Sequence, residues 1–102
     1  MLFMFYMLDA LGMDQKRAQI RPQHKAYLGQ QAHAIAFAGP LYNDDATRAM
    51  GSLLVIDFDS LASARQWLTH EPFTQAGIYG EVTIRPFENL WPQRVGFVPP
   101  TA

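Results

Sequence analysis

Two short segments, Arg21-Pro22-Gln23-His24 and His70-Glu71-Pro72-Phe73, each join a proline that fixes backbone geometry to a side chain able to move a proton near neutral pH. Held in one cavity, the His24 imidazole and the Glu71 carboxylate form a general acid/base pair. The imidazole takes a proton from a substrate and returns it, and the carboxylate fixes the tautomer. The residues alone also allow a plainer role, in which His24 bonds a backbone carbonyl at a buried edge. Arg21 is a candidate for an anionic or phenolate group, or else an exposed arginine at a helix end. Ser52 can line the cavity and donate a hydrogen bond, or be satisfied by backbone. Phe73 and Tyr6 can supply an apolar wall for an aromatic or cyclic substrate, with Phe73 as ordinary core the alternative.

The elements that must position these groups follow from spacing. Leu2 to Leu8 is apolar throughout and reads as a buried strand. A turn over Asp9 to Asp14 and a short helical turn over Gln15 to Gln19 precede a main helix that starts at Pro22, whose missing N–H costs nothing in a first turn. His24, Tyr27, Leu28, Gln31 and Ile35 recur at helical spacing and share one face. His24 is thereby expected in the first turn, where the helix dipole disfavours the imidazolium and a nearby carboxylate favours it. Ala34 to Ala38 reads as a strand ended by Gly39-Pro40, and Leu41 to Gly51 as a polar loop. Ser52 to Phe58 is a strand rich in branched residues. Asp59 or Ser60 caps a second helix carrying Leu61, Ala64, Trp67 and Leu68, which stops by His70 ahead of Pro72. Gly77 and Gly80 break the chain before a last strand, Glu81 to Phe87.

The order is β-α-β-β-α-β, the split pattern of a ferredoxin-like α+β fold with two helices on one face of an antiparallel sheet. Leu53 and Val55 point to one face and Leu54, Ile56 and Phe58 to the other, so the face without helices is also apolar. Such a face marks an interface, and a homodimer packed sheet to sheet, a dimeric α+β barrel, is expected. Leu90, Trp91, Val95 and Phe97 in the tail either extend that interface or fold back on their own subunit. The 102 residues read as one domain, with a core over about 1–88 and an irregular tail over 89–102.

Composition excludes several classes. A formal charge of -1 leaves no electrostatic footprint for nucleic acid or an anionic membrane. The absence of cysteine removes disulfides and thiol chemistry and suits a reducing compartment, the cytoplasm by default. The opening apolar run stops at Asp9, short of the roughly 18 residues of a membrane span, and no signal sequence is read. His24 and His33, nine residues apart on the expected helix, would stand about 13 Å apart along its axis and could not share an ion, so no metal is expected. No phosphate loop or nucleotide fingerprint is present, so no cofactor is implied.

The series Arg21-Pro22-x-His24, Ala38-Gly39-Pro40, Gly51-Ser52, Asp59-Ser60, Trp67, Pro72-Phe73, Ala76-Gly77-x-Tyr79 and Ile84-x-Pro86-Phe87 resembles the YciI-like (YCII-related) family from Met1 to about Phe87. The resemblance implies a ferredoxin-like fold, a dimer, and a cavity around a histidine and an aspartate proposed as the catalytic pair. It also implies kinship in fold with muconolactone isomerase-like and antibiotic monooxygenase-like dimeric barrels, and a dehydrochlorinase of chlorinated hydroquinones belongs to the family. Carried over by motif, the histidine is His24, and the acid falls on Glu71, where the family usually has aspartate. Glutamate keeps the charge and adds one methylene and one rotatable bond. The reading is a small cofactor-independent enzyme, an isomerase, lyase or hydrolase, acting on a small cyclic or aromatic molecule through His24 and Glu71. The alternative is a noncatalytic dimeric module that binds a small metabolite.

Overall fold

The computed structural model describes residues 1–92. Four strands, β1 (Leu2–Asp9), β2 (Ile35–Tyr42), β3 (Ala49–Asp57) and β4 (Tyr79–Phe87), form one sheet in the order β2-β3-β1-β4, with every neighbouring pair antiparallel. Helices α1 (Asp14–Gly29), α2 (Leu61–Thr69) and the single turn α3 (Pro72–Gln75) complete a ferredoxin-like α+β fold.

The two-residue period of the strands decides which side chains meet the helices. Phe3, Phe5 and Met7 of β1 and Leu54 and Ile56 of β3 point inward, are almost fully buried, and pack on Ala64 and Leu68 of α2. Trp67 gathers three aromatic rings about itself, those of Phe5, Phe58 and Tyr27, at centroid distances of 5.1–5.7 Å. Ser60 caps α2, its hydroxyl accepting from the Ser63 N–H at 3.0 Å, and His70 closes the helix at its other end. The opposite sheet face carries Met4, Tyr6, Leu53, Val55 and Phe37, with Tyr6 and Phe37 each 38% exposed.

Several expected boundaries move, each for a local reason. The short turn and the main helix are one helix, and Pro22 lies inside it rather than at its start. A proline there removes its own N–H bond to the carbonyl four residues back and crowds that carbonyl with its ring. Arg21, Pro22 and Gln23 are all exposed, so water can reach that face. The helix ends at Gly29, so Gln31 and Ile35 do not share its face, and His33 sits in a separate 3-10 turn, Ala32–Ala34. The axial distance argued for His24 and His33 therefore does not apply.

Strand β2 runs through Gly39-Pro40 instead of ending there, since an edge strand can leave one side of its ladder unpaired. Strand β3 begins three residues before Ser52, and Gly80 lies within β4, whereas Gly77 does break the chain, with φ +72°. Leu90 and Trp91 are exposed and do not fold back on the subunit, and Val95 and Phe97 lie outside the described residues. No helix among the described residues is long and apolar enough to cross a membrane.

Candidate active site

Helix α1 presents Arg17 and His24, seven residues and two turns apart, on the side that faces α3. His24 thus stands well inside the helix, not in its first turn, and the positive end of the helix dipole is remote from it. Opposite it, Glu71 is the N-cap of α3, with Pro72 as the first helical residue. One carboxylate oxygen of Glu71, Oε2, accepts from the Thr74 N–H at 3.3 Å. The other, Oε1, is bonded to His24 Nδ1. A carboxylate only accepts, so the imidazole donates through Nδ1–H and keeps Nε2 as its free nitrogen. Glu71 is fully buried, whereas the His24 side chain is 12% exposed, so the histidine is the member of the pair that an incoming molecule can touch.

The imidazole lies flat on Phe73, with ring centroids 3.9 Å apart and planes 8° from parallel. Phe73 is 1% exposed. Its ring also meets the Arg17 guanidinium at 4.7 Å and, nearly at right angles, the Tyr79 ring at a centroid distance of 5.9 Å.

Beneath this stack runs a buried polar network. Arg17 Nη1 donates to both oxygens of Asp9, at 2.8 and 2.9 Å, and Nη2 donates to the Gly51 carbonyl at 2.8 Å and to Ser52 Oγ at 3.1 Å. Tyr79 donates its hydroxyl to the same Ser52 Oγ at 3.0 Å. The network closes because β1 and β3 approach tightly at Gly51, where a Cβ would lie 2.3 Å from the Met7 carbonyl oxygen. Burial raises Asp9 above the ordinary carboxyl value, and Arg17 only partly opposes it. Burial, reinforced by the charge of Glu71, pushes the Tyr79 phenol far above its ordinary value. The same two causes raise Tyr27, whose hydroxyl donates to the Trp67 carbonyl at 2.7 Å.

Of the six residues singled out from the sequence, His24, Glu71 and Phe73 come together. Ser52 is buried in the adjoining network with both of its contacts from Arg17 and Tyr79. Arg21 is exposed on α1, and Tyr6 lies on the sheet face away from the helices. Sequence reasoning passed over Arg17, Asp9 and Tyr79. The signal for Arg17 is its seven-residue interval to His24, which a helix start at Pro22 divides between two elements.

Two surface depressions, of about 420 and 360 Å³, are lined by Asn43, Asp44, Asp45 and Met50 and by a set including Arg65, Leu68 and Thr74; neither is lined by His24 or Glu71. Among the described residues no group of three or more histidine and acidic side chains is placed to hold a metal.

Known proteins share this arrangement of chain. A solved structure of the 5-chloro-2-hydroxyhydroquinone dehydrochlorinase TftG of Burkholderia phenoliruptrix, in complex with 2,5-dihydroxybenzoquinone, superposes with a TM-score of 0.81. The two chains are 27% identical, over 86% of this chain and 94% of that one. Protein YciI of Escherichia coli is 32% identical, and an uncharacterized protein of Haemophilus influenzae 30% identical. Each of these matches spans 89% of this chain and the whole of the relative. The model of the YCII-related domain matches residues 1–88, and the chain belongs to that family.

Proposed function

We propose that the protein is a cofactor-independent acid–base enzyme in which His24 is the proton-transfer group and Glu71 its partner. The observation that carries this reading is the bond from a partly exposed imidazole, through Nδ1, to a fully buried carboxylate. Nε2 removes a proton from a hydroxyl or an activated C–H of the substrate. Glu71 stabilises the imidazolium that forms, and the proton is returned to product or solvent. In this reading Glu71 does the work of the aspartate usual in the family, from its place at the N-cap of α3.

The substrate is a small hydroxylated ring or a related cyclic acid. The dehydrochlorinase relative supports this class, since loss of hydrogen chloride from a chlorinated hydroquinone requires a base for the proton while chloride leaves with the bonding electron pair. The working form is a homodimer joined through the sheet face that bears Tyr6, Leu53 and Phe37, an apolar surface that a second copy would cover. The absence of cysteine fits a reducing compartment, and we place the protein in the cytoplasm.

The test is a screen of chlorinated hydroquinones, lactones and related cyclic acids with wild type and His24→Ala. The expected result is turnover in wild type that falls by about 10²-fold or more in the variant. Undiminished turnover in His24→Ala would sink the role given to His24. Sedimentation at about micromolar concentration is expected to show dimer, as stable interfaces of standard size do, and a monomer alone would refute the sheet-to-sheet assembly.

A further inference from the structure

A single hydrogen bond fixes where one edge of an imidazole sits, but not the plane of the ring, which can swing about the line from Nδ1 to the carboxylate oxygen. Swinging moves Nε2, the atom that must meet a substrate, through an arc. The tolerance for that atom is tight, since about 1 Å of misplacement can cost on the order of 10²-fold. Glu71 alone therefore leaves the base under-determined.

We propose that Phe73 is the positioning residue that sets the plane of the His24 imidazole, and that Arg17 holds Phe73 in place from its other face. The inference rests on the reading of His24 as the proton-transfer group. The rings are 8° from parallel at 3.9 Å, which removes the swing that the Glu71 bond permits. Phe73 is itself held firmly, being 1% exposed, set at 88° to the Tyr79 ring beside it, and backed by the Arg17 guanidinium at 4.7 Å. Arg17 and His24 are seven residues apart on α1, about 10.5 Å along its axis, which leaves room for one ring between the two side chains. Arg17 cannot drift, because Asp9, the Gly51 carbonyl and Ser52 take its donors.

The same short stretch of chain makes both constraints. Glu71 grips the imidazole by its edge, Pro72 fixes the backbone, and Phe73 supports its face. A shift of α3 would move both together, so the histidine keeps its orientation relative to its acid. Phe73 does not need to touch substrate, and its burial behind His24 fits this role better than that of a cavity wall.

Nuclear magnetic resonance of the His24 ring tests the proposal without any substrate. In wild type the ring protons are expected well upfield from the Phe73 ring current, with a ring order parameter like that of rigid backbone, about 0.85. In Phe73→Leu, which keeps apolar bulk but no ring, the upfield shift is expected to vanish and the order parameter to drop to about 0.6 or below, while the Nδ1–H bond to Glu71 persists. Phe73→Tyr keeps the ring and is expected to keep both signatures. Wild-type ring protons without the upfield shift, or a folded Phe73→Leu protein with an undiminished order parameter, would overturn the proposal. Should Phe73→Leu not fold, the wild-type shift and Phe73→Tyr still decide. These readouts are separate from turnover, so loss of the acid–base reading in the His24→Ala screen would be distinguishable from failure of the stack.

Discussion

Replacing Arg17 by methionine isolates the cost of the buried network beneath the site. The side chains of Arg17 and Asp9 are 9% and 7% exposed, so solvent screens the pair little. Methionine fills much of the same apolar path but withdraws the donors that Asp9, the Gly51 carbonyl and Ser52 use. Breaking a buried ion pair by removing one partner costs about 3–5 kcal/mol. That is a large part of the roughly 5–15 kcal/mol of a whole domain, and corresponds to about 12 °C or more in Tm for a chain of this size. The pH dependence has a definite sign. Burial already raises Asp9 above its ordinary 3.8, and Arg17 is the largest influence lowering it, so the variant raises it further. A raised folded-state value means that the stability this group contributes is fully present below its unfolded value and is lost as pH rises through the folded one. The deficit of Arg17→Met against wild type is therefore largest near neutrality and shrinks on acidification towards about pH 4. Urea unfolding of both proteins followed by circular dichroism across this range measures it. A deficit under about 1 kcal/mol at neutral pH, or one that grows on acidification, would refute the reasoning.

Two further perturbations probe the same region. Gly51→Ala would place a methyl 2.3 Å from the Met7 carbonyl oxygen, and also within 3.2–3.3 Å of Leu8 and Leu41, so β1 and β3 must part; thermal melting is expected to show a loss of about 1–3 kcal/mol, and an unchanged Tm would contradict the close approach. The raised Tyr79 phenol is expected to stay protonated in the folded protein when ordinary tyrosines ionise near pH 10, so its contribution to stability is complete below that pH and is lost above it. Tyrosinate absorbance on alkaline titration of wild type and Tyr79→Phe checks this; a Tyr79 that ionises at the ordinary value in the folded state would contradict it.

The residues that made the fold legible are those whose pattern has one solution. Ser52 to Phe58 is a run rich in branched apolar side chains, and Leu61, Ala64, Trp67 and Leu68 follow a Ser60 cap, so β3 and α2 lie close to where the sequence puts them. The prolines misled. Pro22 and Pro40 each carry a local rule that usually ends or starts an element, yet exposure of one helix face and the edge position of β2 let both elements run on. His24 and Glu71 were legible through their chemistry and motif. Arg17, Asp9 and Tyr79 were not, since an arginine in a polar stretch, an acid at a strand end and a tyrosine beside a glycine gain their meaning only when β1, β3, β4 and α1 meet.

On the proposed mechanism Glu71 holds His24 by Nδ1 and leaves Nε2 free to take a proton. Nitrogen NMR of the His24 ring at neutral pH, in wild type and in Glu71→Gln, tests it most directly. A protonated Nδ1 and a bare Nε2 are expected in neutral wild-type imidazole, with the Nδ1–H signal shifted strongly downfield by the carboxylate and weakened in Glu71→Gln. A neutral His24 protonated at Nε2, or an Nδ1 signal indifferent to Glu71→Gln, would contradict it.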